Sequence, residues 1–393
     1  MIYPEFLKDN GTVGFVAPSF GCGIEPYKSA FESALEFWKS NGCYVNLGPN
    51  VYMNEGIGIS NTPVACAEEL VSSYVNSNID AIISCGGGEL MCETLSHIDF
   101  DAIMKSKPKW YMGYSDNTNF TFMLTTKCDI ASLYGPNAAA FGMKPHHQSI
   151  TEAYEILTGR AVNDGSVSVH NYDKYEIESL KSEENPLAPY NCTEDVCVRA
   201  YVYDANADCD GVVSTDADIC TGGVMSTDVD ICTDRVMLTD ADICTDGVML
   251  TDNISFDGRI IGGCMDCLVN LLGTRFDYVN QFVDKYADDG IIWYLEACDL
   301  NVFSIRRAMW QMNEAGWFRN VKGFIFGRPL NGEAMFNLNR FDAVLPIACA
   351  ENKVPVIMDA DIGHRPPQMV MINGALGNVK FDNGALTIDY IFE

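Results

Sequence analysis

WYMGYSDNTNF, Trp110–Phe120, is the stretch on which the fold turns. Trp110–Gly113 is an apolar run that reads as a strand, and the residues after Asp116 read as a helix. Gly113-Tyr114-Ser115-Asp116 between them permits two readings. Ser115 is either a nucleophile raised on a tight strand-to-helix turn or a helix N-cap, since Ser and Asp both suit that position. A serine hydroxyl is a poor nucleophile until a base takes its proton, so the motif alone does not choose.

The flanking sequence repeats the same strand–turn–helix grammar. On the N-terminal side, TVGFVAPS (Thr12–Ser19) is an apolar strand ending in Pro-Ser. The helix expected after it spaces Ala30, Phe31, Ala34, Leu35 and Trp38 along one face and stops at Gly42. YVNLG is a second strand, PVACAEELVSSYVNS a helix, IDAIISCGGGEL a strand entering a glycine turn, and Asp99–Ser106 a further helix. Strands alternating with helices on this spacing predict a parallel sheet covered on both faces, with functional loops beyond its C-terminal strand ends.

On the C-terminal side, GRIIGGCMDCLVNLLG opens a second block. GIIWYLEA and VKGFIFGRP read as strands, NVFSIRRAMWQMNEAGWF as a helix, and FDAVLPIACAENKVPVIMDADIGH as a helix followed by a strand. The tail alternates around Asn-Gly signals and predicts short antiparallel strands. The expected architecture is α/β. An N-terminal flavodoxin- or Rossmann-like parallel-sheet domain spans 1–165, a linker with an insert 166–254, and a smaller mixed α/β domain 255–393.

Composition narrows the function. A chain of 393 residues with 54 acidic and 25 basic side chains carries a formal charge of −29, which disfavours nucleic acid polymers and anionic membranes as partners. The first residues show no basic-then-apolar leader pattern, and no apolar run is long enough to span a bilayer. Sixteen cysteines without zinc spacing are expected as free thiols in a reducing cytoplasm. Cys264-Met265-Asp266-Cys267 lacks the second pair or histidine that a zinc site needs, and Gly86–Gly88 lacks the lysine of a phosphate loop. No cofactor and no metal are expected.

The insert is a tandem repeat of period 12: TDADICTGGVMS (215–226), TDVDICTDRVML (227–238) and TDADICTDGVML (239–250), preceded by a degraded copy at 203–214. Residues 204–252 hold twelve aspartates and one arginine, so −12 + 1 = −11 of the −29 is concentrated there. Three accounts remain open. The repeats form a small β-solenoid stacking Ile219, Ile231 and Ile243; they form a mobile acidic loop; or they bind calcium. NADCDG (Asn206–Gly211) places oxygen ligands as a calcium loop does but has Ala217 where the closing glutamate belongs.

A base for Ser115 has to be one of five histidines. His97, His146, His147 and His170 sit in or near loops without a rigid setting. His364 follows an apolar strand in DIGHRPP, where Gly363 frees the backbone and two prolines stiffen the exit. A carboxylate is then needed to orient the imidazole. Glu296 ends an otherwise apolar strand, and Asp299, Asp359 and Asp361 compete with it.

Seven segments in order, SCGGGEL, GYSDNTNFTFML, LYGPNAA, GRIIGGCMDCLVNLLGT, GIIWYLEACD, VKGFIFGRP and DADIGHRPP, resemble the LD-carboxypeptidase family of serine peptidases, type S66, and its microcin C7 self-immunity branch in particular. The resemblance implies Ser115 as nucleophile, Glu296 as orienter, His364 as general base, and the N–H groups of Gly87 and Asp116 as an oxyanion hole. It implies a cleft between two domains, a cytoplasmic homodimer, and cleavage of an amide in a small peptide or peptide–nucleotide conjugate. The alternative is a ligand-binding protein that kept the scaffold without turnover. Gly88, Glu89, Cys264, Arg328 and Arg365 are the candidate substrate contacts. Cys264 stands where the family commonly has Asn, and the glycine turn lacks the arginine of typical murein carboxypeptidases. The family's variable loop near the site mouth is where the acidic insert is expected.

Overall fold

The computed structural model describes residues 1–205 and 247–392. The three complete repeats, the candidate calcium loop Asn206–Gly211 and the expected solenoid therefore lie almost entirely outside the described residues.

The strands are β1 Thr12–Val16, β2 Tyr44–Leu47, β3 Ala81–Ser84, β4 Trp110–Gly113, β5 Ser132–Tyr134, β6 Ser166–His170, β7 Lys174–Glu176, β8 Cys192–Asp195 and β9 Arg199–Tyr203. They continue with β10 Val248–Thr251, β11 Asn253–Cys264, β12 Ile291–Glu296, β13 Val321–Gly327, β14 Val356–Ala360, β15 Met371–Asn373, β16 Leu376–Asp382 and β17 Ala385–Ile391. Among the helices are α1 Tyr27–Ser40, α2 Pro63–Val75, α3 Met91–Leu95, α4 Phe100–Lys105, α5 Thr118–Thr126, α6 Gln148–Leu157, α7 Met265–Leu271, α8 Val279–Lys285, α9 Val302–Glu314 and α10 Arg340–Leu345.

Among the described residues the first sheet runs β15-β5-β4-β3-β1-β2, parallel from β5 to β2. Its central strands are buried along their length, as apolar runs covered on both faces must be. The predicted face of α1 is the buried one: Ala30, Phe31, Ala34, Leu35 and Trp38 all point inward. The second sheet runs β10-β9-β14-β13-β12-β11-β16-β17-β6, with β11 to β14 parallel and the flanking pairs antiparallel. The tail forms the expected hairpin, β16 and β17 turning at Asn383-Gly384, both with positive φ.

Three features depart from the expectation. The stretch 166–254 is not only a connector: β6, β9 and β10 extend the second sheet at its two edges. β15, near the C-terminus, crosses over to pair antiparallel with β5 and closes the first sheet; Met371 and Ile372 are fully buried there. The acidic insert is anchored away from the cleft. β9 and β10 pair Tyr203 with Val248, while β9 runs antiparallel to β14 with Tyr201 opposite Val356. Both anchors therefore leave at the N-terminal end of β14, opposite the end that carries His364.

Helix α5, directly after Ser115, is buried at every position. Its four threonines satisfy their hydroxyls largely on preceding carbonyls, as in Thr125 to Thr121 (3.2 Å) and Thr126 to Phe122 (2.8 Å). Phe122 stacks on Trp317 at 5.8 Å, and Trp317 on Trp293 of β12 at 5.7 Å. Aromatic packing thus locks the helix behind Ser115 to the strand that ends in Glu296.

Candidate active site

The turn after β4 bears on the question left open by Trp110–Phe120. Tyr114 is extended, Ser115 has φ +65°, and a 3₁₀ turn over Ser115–Asn117 leads into α5. A left-handed backbone at a residue with a Cβ costs about 1–2 kcal/mol, a strain typical of functional turns. Ser115 makes no capping hydrogen bond; its hydroxyl points away from the helix to His364, with Nε2–Oγ 2.8 Å. The capping reading is thereby excluded.

Neighbouring groups hold this turn. Asn117, fully buried, donates from Nδ2 to the carbonyls of Gly86 (2.8 Å) and Tyr114 (3.1 Å) and accepts from Tyr111 Oη (2.6 Å). The Asp116 carboxylate accepts from Ser19 Oγ, the Met91 N–H and Asn119. Burial raises its pKa to about 6, against the pull of those hydrogen bonds. At Gly87 the requirement is room: a Cβ there would lie 2.9 Å from Ser115 Cβ and 3.0 Å from its Oγ. Only glycine brings the backbone this close.

The second half supplies the other partners. Glu296, at the C-terminal end of β12, is 1% exposed, and its Oε2 is 2.9 Å from His364 Nδ1. His364 sits in the loop after β14. Gly363 has φ +101°, and a Cβ there would collide with the Glu296 carboxylate. Burial opposes both charges, but the mutual attraction wins. Glu296 is lowered by His364 and by hydrogen bonds from His364, Tyr134 and Cys264. His364 is held well above the usual imidazole value by the Glu296 charge and by hydrogen bonds with Cys298 and Glu296.

Sequence reasoning missed Tyr134. Its hydroxyl donates to Glu296 Oε1 (2.5 Å) and accepts the Ser115 N–H (3.1 Å), bridging the two halves. Burial and the Glu296 charge keep this phenol protonated well above its ordinary range. The quoted segment LYGPNAA contains it, but a tyrosine ending a short apolar strand reads as core.

The other candidates separate cleanly. Gly88, Glu89, Cys264 and Asp116 join Ser115 and His364 around a cavity of about 310 Å³. Gly87, Gly88, Tyr27, Tyr114, Tyr190 and Lys181 are among the walls of an adjoining cavity of about 510 Å³. Arg328 is not a wall of either. It is buried, ion-paired to Asp361, bonded to the Asp359 carbonyl (2.9 Å) and set over the Tyr175 ring. Arg365 donates to the carbonyls of Pro329 and Leu330. Both arginines brace loops, and neither faces the cavities. Of the rival carboxylates, Asp359 pairs with Arg340, Asp361 with Arg328, and Asp299 is exposed at the cavity rim. His146 bonds to the Phe141 carbonyl, His147 caps α6 and His170 bonds to Thr387. No helix among the described residues is long and apolar enough to cross a membrane.

Two sequence profiles cover most of this architecture: the LD-carboxypeptidase N-terminal domain over residues 13–135 and the LD-carboxypeptidase C-terminal domain over 257–379. The chain belongs to the LD-carboxypeptidase family. It is 23% identical to the microcin C7 self-immunity protein MccF of Escherichia coli over 97% of this chain and 94% of that one. It is 27% identical to a putative carboxypeptidase of Treponema pallidum over 38% of this chain and 43% of that protein. Among solved structures, MccF in complex with adenosine monophosphate superposes with a TM-score of 0.72 at 19% identity, covering 100% of this chain and 99% of that one. An MccF-like protein from Bacillus anthracis gives 0.69 at 18% identity, covering 100% of both chains.

Proposed function

We propose that the chain is a serine hydrolase that cleaves an amide bond in a small peptide or peptide–nucleotide conjugate. The observation that carries this is the relay Ser115 Oγ–His364 Nε2 at 2.8 Å and His364 Nδ1–Glu296 Oε2 at 2.9 Å. In this reading neutral His364 takes the Ser115 proton as Oγ attacks the carbonyl, then gives it to the leaving amine. Glu296 fixes the imidazole with its proton on Nδ1 and stabilises the imidazolium. Water then attacks the acyl-enzyme with His364 again as base. The N–H groups of Gly87 and Asp116 serve as the oxyanion hole. Neither has another acceptor among the described residues, and each such donor is worth about 3 kcal/mol where charge develops.

The walls bear on the substrate. Among the described residues no arginine lines either cavity, so none of these supplies a guanidinium clamp for a free carboxylate beside the scissile bond. The larger cavity offers tyrosine faces and Lys181. MccF has been solved with adenosine monophosphate and with aspartyl sulfamoyl adenosine. Both considerations favour a peptide–nucleotide conjugate over a murein stem peptide. The strand order β2-β1-β3-β4-β5 supports the flavodoxin-like reading of the first domain. The described cysteines are free thiols, which suits cytoplasmic action, and a homodimer completes the proposal.

The test incubates processed microcin C7 and murein tetrapeptide with wild type and Ser115→Ala and reads products by mass. Cleavage of the conjugate by wild type alone supports the proposal. Stoichiometric binding with no product from either substrate supports the non-catalytic alternative.

A further inference from the structure

Cys264 has a consequence beyond substrate contact. It ends β11 opposite Glu296 on β12, the two strands pairing in register at this position. One ligand atom each from Cys264, Glu296 and His364 lies within 4.8 Å of the others. Cys264 is 2% exposed and Glu296 1%, while Cys264 and His364 open onto the 310 Å³ cavity. Cys298 also lines that cavity.

A thiol, a carboxylate and an imidazole in this spacing are a ligand set for a thiophilic divalent cation. Zinc takes sulfur at about 2.3 Å and nitrogen or oxygen at about 2.0–2.2 Å, usually with four ligands, so a shift of about 1 Å closes the site and leaves one position to the cavity. We propose that Zn²⁺ or a similar ion binds at Cys264, Glu296 and His364 and switches the triad off. This inhibition rests on the hydrolase reading; the binding does not.

The chemistry follows from the imidazole having two nitrogens. Sulfur gives its proton to solvent as it takes the ion, and Glu296 is already charged. If the ion captures Nε2, the lone pair that would accept the Ser115 proton is used. If it captures Nδ1, the remaining ring proton sits on Nε2, which then donates to Ser115 instead of accepting. Either way the base is lost while the fold is kept. An asparagine at this position offers no thiolate to the ion, so the switch belongs to the cysteine.

The experiment uses the full chain, reduced with a phosphine, and two probes. Co²⁺ binding is measured by dialysis and by thiolate-to-cobalt absorption. Labelling of Ser115 by a fluorophosphonate is followed as free Zn²⁺ is raised with a metal buffer, each protein normalised to its own zinc-free rate. Wild type is expected to bind one more Co²⁺ than Cys264→Ser or Cys264→Ala. Its half-inhibiting zinc concentration should be at least about tenfold lower than theirs, with recovery on chelation. A melting curve checks that each variant is folded. Equal cobalt binding and equal zinc sensitivity in wild type and a folded variant overturn the proposal. Extra cobalt in wild type without Ser115 labelling under any condition upholds the metal site and sinks the hydrolase reading.

Discussion

The two walls of the cleft are built on different principles. The N-terminal wall is a backbone device: Ser115 at φ +65°, a glycine turn pressed against it, and uncharged hydrogen bonds in which Asn117 donates to the Gly86 carbonyl and Tyr134 accepts the Ser115 N–H. The C-terminal wall is held by charge: Glu296 with His364, Arg328 with Asp361 and Arg340 with Asp359, all on or beside the strand ends that carry the loop 361–369. Strain fixes where Ser115, the proposed nucleophile, stands, and electrostatics fixes which way His364, the proposed base, faces. Both walls are therefore intolerant of added atoms, at Gly87 and at Gly363; they differ in charge, the first carrying the Asp116 carboxylate, with its pKa raised to about 6, and the second resting on the Glu296–His364 pair.

Four substitutions break or sharpen this contrast, in falling order of effect. Ser115→Ala removes the only attacking atom and should cost on the order of 10⁵–10⁶ in kcat, read by product formation with no acyl-enzyme on mass analysis. Glu296→Gln should cost about 10³–10⁴ and also move the acidic limb of the kcat/KM profile. Activity needs neutral His364, and its pKa is raised, so that limb should lie above the ordinary imidazole value of about 6.5. Without the Glu296 charge the largest upward pull on His364 is gone, burial weighs more, and the limb should shift to lower pH. Gly87→Ala should cost about 10²–10³ in kcat through lost oxyanion geometry with the pH profile unmoved, since a Cβ at 2.9 Å displaces backbone and titrates nothing.

Tyr134→Phe crosses the two walls. It deletes a hydrogen bond to a carboxylate, worth about 1.5–3 kcal/mol, and should lower kcat about 10- to 100-fold while shifting the same acidic limb. A packing role alone would move the melting temperature and leave the limb in place. The pH dependence of stability has the opposite sign to that of activity. Because the folded pKa of His364 is raised, its contribution to stability is full below the unfolded imidazole value while Glu296 stays ionised, and is lost as pH rises through the folded value. Activity should rise over the same window.

How much of this was legible in the sequence follows the same division. The strand–turn–helix around Ser115, the α1 face and the C-terminal hairpin are local patterns, and local patterns are written in adjacent residues. Glu296 was suggested by a charge ending an apolar strand, but its choice over Asp299, Asp359 and Asp361 needed the family resemblance. What stayed hidden is non-local. Tyr134 looks like core until Glu296 is brought 162 residues to meet it. Arg328 looks available until burial pairs it with Asp361. β15 reads as part of a tail hairpin, yet it pairs across to β5 because the first sheet has an open edge to cover.

The central claim is that His364, oriented by Glu296, activates Ser115. Intact-mass analysis after treatment with a fluorophosphonate, in wild type and in His364→Ala, tests it most directly. One adduct per chain, mapping to Ser115 in wild type and formed at least about 10³ times more slowly in the variant, is the predicted result. An unlabelled Ser115 in active wild type, or equal labelling rates in the two proteins, would contradict it.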